Sequence, residues 1–313
     1  MSKKKFSISD LEKFSGVKAH TIRVWEQRHK VFKPLRNNGI RFYEITDLDK
    51  ILKLALLNKN GYRISSICNF TQAELDIKLH TLPTDEDQQE RILSQLFVYM
   101  YAIEPVLFEE LLNTALRIWP SKIVLQTIIL PFLQRTGLLW TGNRLSEEHF
   151  VVTVLRKKII HAIETLTTAG ANGKRVLLFL PEGRQLDIGL LYTNYLLKQK
   201  GMCVLYMGTD VSVKNLEQTL RATTPQVVFT YLPQKNNFDI ITLAKFMEQT
   251  LPQSKLIIGQ YQPYDVSAAQ SNNYEVLVFE EAVAVMLAEQ GEDITQHFSK
   301  KEEAMFSTTH SLY

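Results

Sequence analysis

Eight side chains between His20 and Tyr43 have the types and spacing to engage a polyanion: His20, Thr21, Arg23, Arg28, Arg36, Asn38, Arg41 and Tyr43. Guanidinium groups neutralise phosphate oxygens and can bind them through two parallel hydrogen bonds. Imidazole, hydroxyl and amide groups donate to or accept from base edges and phosphates. Arg23, Arg36 and Arg41 are the leading phosphate clamps. His20, Thr21 and Arg28 are candidates for a groove-facing surface, and Tyr43 offers a hydroxyl to phosphate. The charge is concentrated here. Residues 1–70 hold 15 Lys and Arg against 6 Asp and Glu, a net of +9, whereas the whole chain is +3, so the remainder carries −6. A basic run by itself is usually a solvated face, so the elements that position it decide its meaning.

Those elements are short and well punctuated. Ile8 to Phe14 predicts a helix broken at Ser15-Gly16-Val17, and Ala19 to His29 predicts a second. Ile22 and Trp25, with Val17, fall on one side of the second helix, leaving Thr21, Arg23 and Arg28 to face outward. Pro34 to Tyr43 then predicts a β-hairpin, because Asn38-Gly39 suits a two-residue turn that needs positive φ. Trp25 and Phe42 are expected in the core of this small domain. A helix-turn-helix followed by an arginine-bearing hairpin is the pattern of a winged DNA reader.

These residues resemble the MerR family of bacterial transcription regulators. The resemblance rests on Ile8-Ser9-Asp10-Leu11, Gly16-Val17, the run from Thr21 to Arg28, Pro34-Leu35-Arg36, and Gly39-Ile40-Arg41-Phe42-Tyr43. It implies that the second helix enters the major groove while the wing holds the adjoining backbone. It also implies double-stranded DNA as partner, read as a pseudo-palindromic operator by a dimer or higher homo-oligomer. The form Ile-Arg-Val-Trp-Glu-Gln-Arg looks like the subgroup that carries a cobalamin-binding type of C-terminal half.

Length and composition bound the rest. A chain of 313 residues suits two or three domains. Apolar runs such as Val176–Leu180 are too short to span a bilayer, and Met-Ser-Lys-Lys-Lys is not followed by the apolar core of a signal peptide. Cys68 and Cys203 form no spaced pair, and His80, His161, His297 and His310 are scattered, so neither a metal site nor a disulfide is expected. A cytoplasmic protein without membrane partners fits this reading.

The expected organisation is multidomain. Residues 1–75 form the winged helix-turn-helix, 76–84 a linker, and 85–171 a four-helix bundle. Residues 172–290 form an α/β flavodoxin-like, doubly wound parallel sheet, and 291–313 a tail. The helix after the wing is expected to start at Thr46, and the polar segment Thr71–Gln89 reads as linker. Thr84, three residues before Asp87, signals a new helix. Helices are predicted at 85–102, 104–118, from Pro120 towards Leu139 with a kink at Pro131, and at 147–169. From Lys174 onward, short apolar strands alternate with helices, one of them at 266–271.

This second half resembles the cobalamin-binding module of methionine synthase and of light-sensing MerR regulators. Trp140 with Glu148-His149, Leu180-Pro181-Glu182-Gly183 leading to Asp187-Ile188-Gly189, and Met207 to Val211 carry the resemblance. It implies a cap made by Trp140, Glu148 and His149, and an axial histidine in a motif Asp/Glu-x-His-x-x-Gly after the first strand. Alignment on Gly189 places Leu186 at the histidine and Arg184 at the acid, and neither Arg184 nor Gln185 is a plausible metal ligand. The family's Ser-x-Leu becomes Thr230-Tyr231-Leu232, with Tyr231 expected in the slot for the nucleotide tail. The family's Gly-Gly becomes Gly259-Gln260, and the spacing from Trp to Glu-His is two residues shorter. Trp140 as a plug of the bundle end, with Glu148 and His149 as a polar pair at a helix start, is the structural alternative to a ligand cap.

Three readings follow. In the first, a DNA-binding regulator that is not an enzyme has lost cobalamin, and its C-terminal half serves oligomerisation, a regulatory protein partner or another ligand. In the second, the regulator still responds to cobalamin, with or without light, lacking the usual histidine. The third is a corrinoid protein or enzyme, which would need the ligand histidine and no winged reader.

Overall fold

The computed structural model describes residues 5–37, 39–137, 146–166, 174–183, 187–232, 240–260 and 274–288. Two compact units are present: Met1–Leu138 with Asn143–Leu155, and Leu139–Gly142 with Arg156–Tyr313.

The first unit opens with α1 (Ile8–Ser15) and α2 (Ala19–His29). Ser7 and Asp10 close a capping box on α1, and Gly16 ends it in the left-handed region at φ 71°. Glu12 then reaches across the turn, its Oε2 accepting from the Ala19 N–H at 3.0 Å. This satisfies a donor at the start of α2, where Lys18 supplies no side-chain cap. The wing is the antiparallel pair β1 (Leu35–Asn37) and β2 (Ile40–Phe42), with Gly39 at φ 80°. Helix α3 (Ile45–Lys59) is capped two residues earlier than expected, because Glu44 rather than Thr46 forms the capping box with Asp47. A short α4 (Ile64–Ile67) follows.

The segment expected as a linker is helical through its first half. Helix α5 (Gln72–His80) is nucleated by a capping box between Thr71 and Glu74. It is tied to α3 by Lys53, whose Nζ lies 3.0 Å from Asp49 and 2.7 Å from Asp76. The helix buries Leu75 and Leu79 while Gln72, Glu74, Lys78 and His80 face solvent, and two buried apolar positions in nine give a single-sequence reading little periodicity to find.

Helix α6 (Asp85–Ala102) begins at the expected Thr84 cap and is the central post of the unit, packed against α3, α5 and α7 (Pro105–Ile118). The third bundle helix is α8 (Ser121–Val124), a π turn (Leu125–Ile129) and α9 (Leu130–Thr136) in succession. Pro131 has no N–H for the Thr127 carbonyl, and the helix widens ahead of it rather than breaking. Helix α10 (Ser146–Glu164) contributes residues to both units.

A column of rings runs through the first unit. Phe14 of α1 lies 5.1 Å from Phe97 of α6. Phe97 stacks on Phe132 at 5.2 Å, and Phe132 meets Phe108 edge-on at 5.6 Å. Phe6 and Phe14 also flank Tyr101 at 5.0 and 5.5 Å. The hydrophobic core of the winged domain is therefore continuous with that of the bundle.

The second unit is a five-stranded parallel sheet in the order β4-β3-β5-β6-β7. It is built from β3 (Arg175–Pro181), β4 (Cys203–Val211), β5 (Val227–Leu232), β6 (Lys255–Gln260) and β7 (Tyr274–Val278). The chain order is the flavodoxin-like 2-1-3-4-5. Helices α11 (Ile188–Gln199) and α14 (Phe279–Ala288) contact one another. Helices α12 (Val213–Thr223) and α13 (Ile240–Thr250) share the opposite core, with Leu177, Phe179, Val228, Leu232, Leu256 and Ile258. The helix expected at 266–271, the end of the one expected to reach residue 169, and the tail from 291 lie outside the described residues.

Truncating the ring shared by both cores should be costly. Phe97→Ala is expected to destabilise the first unit by roughly 3–5 kcal/mol, read as a lower urea midpoint for its unfolding transition. A loss under about 1 kcal/mol would show that the column is not a stabilising element.

Candidate nucleic-acid interface

Helix α2 buries Ile22 and Trp25 and exposes His20, Arg23, Val24, Gln27 and Arg28. The exposed set recurs at three- and four-residue steps, so it forms one outward stripe. Thr21 is half-buried at its edge. Trp25 is a core residue, as expected. Val24 and Gln27 were not singled out from sequence, although the same spacing from His20 and Arg23 reaches both. An amide can pair with adenine and an apolar side chain can cover a thymine methyl.

The wing presents its arginines as a directly opposed pair, with Arg36 facing Arg41 in the β1–β2 register. Like charges at such positions repel. Arg41 is partly compensated, since its Nε donates to Glu26 Oε1 of α2 at 3.2 Å. Arg36 is exposed and has no ion-pair or hydrogen-bond partner among the described residues. On the other side of the hairpin, Leu35 and Ile40 are exposed. Phe42, expected in the core, is only half-buried, with the Lys5 ammonium 5.7 Å from its ring centroid. Asn38 lies outside the described residues.

Tyr43 corrects the expectation of a phosphate-facing hydroxyl. It is 0% exposed. Its backbone exchanges two 2.9 Å hydrogen bonds with Phe6, and its hydroxyl donates to Glu26 Oε2 at 3.2 Å. The ring belongs to the core because strand alternation turns residue 43 to the side opposite Phe42. Burial, and then the neighbouring Glu26 charge, push its phenol up to about 12.

The second unit places the other sequence-derived residues. Tyr231 is 2% exposed, and its ring meets Phe279 edge-on at 5.4 Å. A Cβ built on Gly189 would lie 3.1 Å from Tyr231 Cζ, and one on Gly259 would lie 3.2 Å from Phe279 Cδ2 and 3.3 Å from Tyr231 Cβ. At Gly189 and Gly259 the close neighbours among the described residues are thus the side chains of Tyr231 and Phe279. Gln260 is fully buried on the opposite face of the sheet from Gly259, with neither amide atom hydrogen-bonded. It does not approach this slot.

Beside the slot, Asp187 accepts from Arg156 Nε at 2.8 Å and from the Tyr206 hydroxyl at 3.1 Å. Gly183 N–H donates to Asp210 Oδ1 at 2.7 Å, with Asp210 itself at φ 60°. His149 is exposed in the first turns of α10. Trp140, the Glu148 side chain, Arg184, Gln185 and Leu186 lie outside the described residues. Among the described residues, no group of three His, Cys, Asp or Glu side chains could hold a metal ion, and no helix is long and apolar enough to cross a membrane.

The Tyr43 environment can be tested by titration. Its folded value lies above the unfolded 10.0. The stability held by the neutral phenol is therefore complete below pH 10 and lost as pH rises through about 12. The difference titration of wild type minus Tyr43→Phe, followed by phenolate absorbance, is expected to show a midpoint near 12. A midpoint near the free value of about 10 would place Tyr43 in water.

Residues 6–74 fit the MerR HTH family regulatory protein family. The chain is 25% identical over 224 residues to the HTH-type transcriptional repressor CarA of Myxococcus xanthus, covering 71% of this chain and 74% of that protein. In fold it is similar to the monomethylamine corrinoid protein of Methanosarcina barkeri, with a TM-score of 0.50 at 14% identity, covering 64% of this chain and 99% of that one. With its exposed arginine-bearing helix and wing, the N-terminal part of this chain is a MerR-family helix-turn-helix domain, joined to a module with the fold of corrinoid proteins.

Proposed function

We propose that this protein is a transcriptional regulator in which α2 reads the major groove and the wing grips phosphate. In this reading the C-terminal module has lost His-ligated cobalamin and serves assembly, a protein partner or a different ligand. The DNA half rests above all on the opposed arginine pair of the wing, of which only Arg41 has a carboxylate partner, beside the stripe of α2. Two like charges held face to face are stable when an anion lies between them. Arg23, Arg36 and Arg41 hold phosphate, while His20, Thr21, Val24, Gln27 and Arg28 face base edges. Two copies reading a two-fold operator are required, and the protein acts in the cytoplasm without catalysing a reaction.

The loss of cobalamin is supported by the Tyr231 ring packed against Gly189 and Gly259, and by Leu186, which has no lone pair, at the sequence position of the histidine. The similarity to CarA and to a corrinoid protein's fold favours a second reading, a regulator that binds cobalamin through another ligand.

Arg23→Ala and Arg36→Ala should each weaken duplex binding whatever its sequence and reduce the salt slope by about one counterion. An unchanged slope in either variant would take that arginine off phosphate. Titration of the purified chain with adenosylcobalamin and hydroxocobalamin in the dark separates the two readings. Without co-elution or a change in the corrin spectrum, the first stands; stoichiometric co-elution establishes the second. Leu186→His alone is expected to leave cobalamin unbound, because Tyr231 still occupies the slot. Tight binding by that variant would refute this account of the pocket.

A further inference from the structure

We infer that Glu26 is a positioning residue that aims Arg41, and with it the wing, before DNA arrives; this rests on the DNA reading above. Glu26 lies on α2 with its side chain 12% exposed, between the recognition stripe and the wing. Each carboxylate oxygen takes a different donor, Oε1 from Arg41 Nε and Oε2 from the Tyr43 hydroxyl, both at 3.2 Å. The second donor is a rigid post. Tyr43 is locked to Phe6 by two backbone hydrogen bonds, and its ring meets Phe32 edge-on at 6.1 Å. Glu26 is therefore fixed on one side by a buried phenol and fixes a guanidinium on the other.

The geometry of the arginine gives this arrangement its use. Arg41 is held through Nε alone, and among the described residues its terminal nitrogens carry no hydrogen bond. Those four N–H groups remain for a phosphate, next to Arg36 across the hairpin. An arginine already restricted in rotamer loses less freedom when it binds. The same three-residue bridge joins the wing to the recognition helix, so it also sets the spacing between groove contacts and backbone contacts.

Bulk electrostatics makes the opposite forecast. A carboxylate beside the DNA-facing arginines repels phosphate, so its removal should tighten binding. The test uses the full chain, a duplex recovered by the wild type from a random-sequence pool, and the unselected pool itself, with anisotropy followed across a salt series. Glu26→Ala is expected to lose about tenfold on the selected duplex, the scale of one immobilised long side chain. Its salt slope should fall by about one as Arg41 leaves its phosphate. Glu26→Gln should stay within about threefold of wild type, because the amide oxygen still accepts from Arg41 and the amide nitrogen can donate to the Tyr43 oxygen. If Glu26→Ala does not fold, as judged by helical circular dichroism, Tyr43→Phe carries the test. It removes one hold on the carboxylate without changing charge, and about threefold loss is expected. Equal or tighter binding by Glu26→Ala, or unchanged affinity in Tyr43→Phe where the alanine variant is unfolded, overturns the inference. A wild-type chain that binds neither duplex overturns the DNA reading, a failure recognisable because it precedes any variant.

Discussion

The first unit depends on the burial of Phe14 against Phe97. A domain of about 70 residues buries too small a fraction of its surface to be comfortably stable alone. Here α1 extends its core into the bundle through Phe97, and the column continues to Phe132 and Phe108. Helix α6 thereby becomes both the back wall of the winged domain and the central helix of the bundle, with Arg135 of α9 held on its Glu90 through two hydrogen bonds at 2.6 and 3.1 Å. Residues 72–80 form a helix rather than a tether by burying Leu75 and Leu79 and pairing Asp76 with Lys53 of α3.

On that base the reader can carry charge that opposes its own folding. The net +9 of residues 1–70 is self-repelling, and the wing sets two arginines face to face. Apolar burial under α2 and the Glu26 bridge offset this repulsion while leaving the outward groups in water. Burial and exposure are thus divided by face: Ile22, Trp25 and Tyr43 hold the domain, and His20, Arg23, Gln27, Arg28 and Arg36 are exposed.

In the second unit the deciding contact is Tyr231 against Gly189 and Gly259. A doubly wound sheet binds ligands at the carboxyl ends of its strands, and the two glycines allow something to come close there. In this protein the close neighbour is a tyrosine of the sheet itself, backed by Phe279. The fold is similar to that of a corrinoid protein, and at these two glycines the tyrosine and phenylalanine rings are the close neighbours.

Much was legible in the sequence because local rules govern it. The Gly16 break, the Asn38-Gly39 turn, the Thr84 cap, the three- to four-residue periodicity of α2 and the strand–helix alternation after Lys174 each act over a few residues, and the structure reproduces those of them it describes. The charge separation between reader and remainder likewise follows from composition alone. Tertiary structure decided what depends on partners distant in the chain. Tyr43 looked like a surface hydroxyl until Phe6 and Glu26 claimed it, 37 and 17 residues away in sequence. The polarity of Gln72–His80 looked like a linker until burial of Leu75 and Leu79 and the Lys53–Asp76 pair set it against α3 as a helix. The burial of Tyr231 against Gly189 and Phe279 was likewise decided by tertiary structure, because a side chain's environment is fixed by three-dimensional packing that no local pattern records.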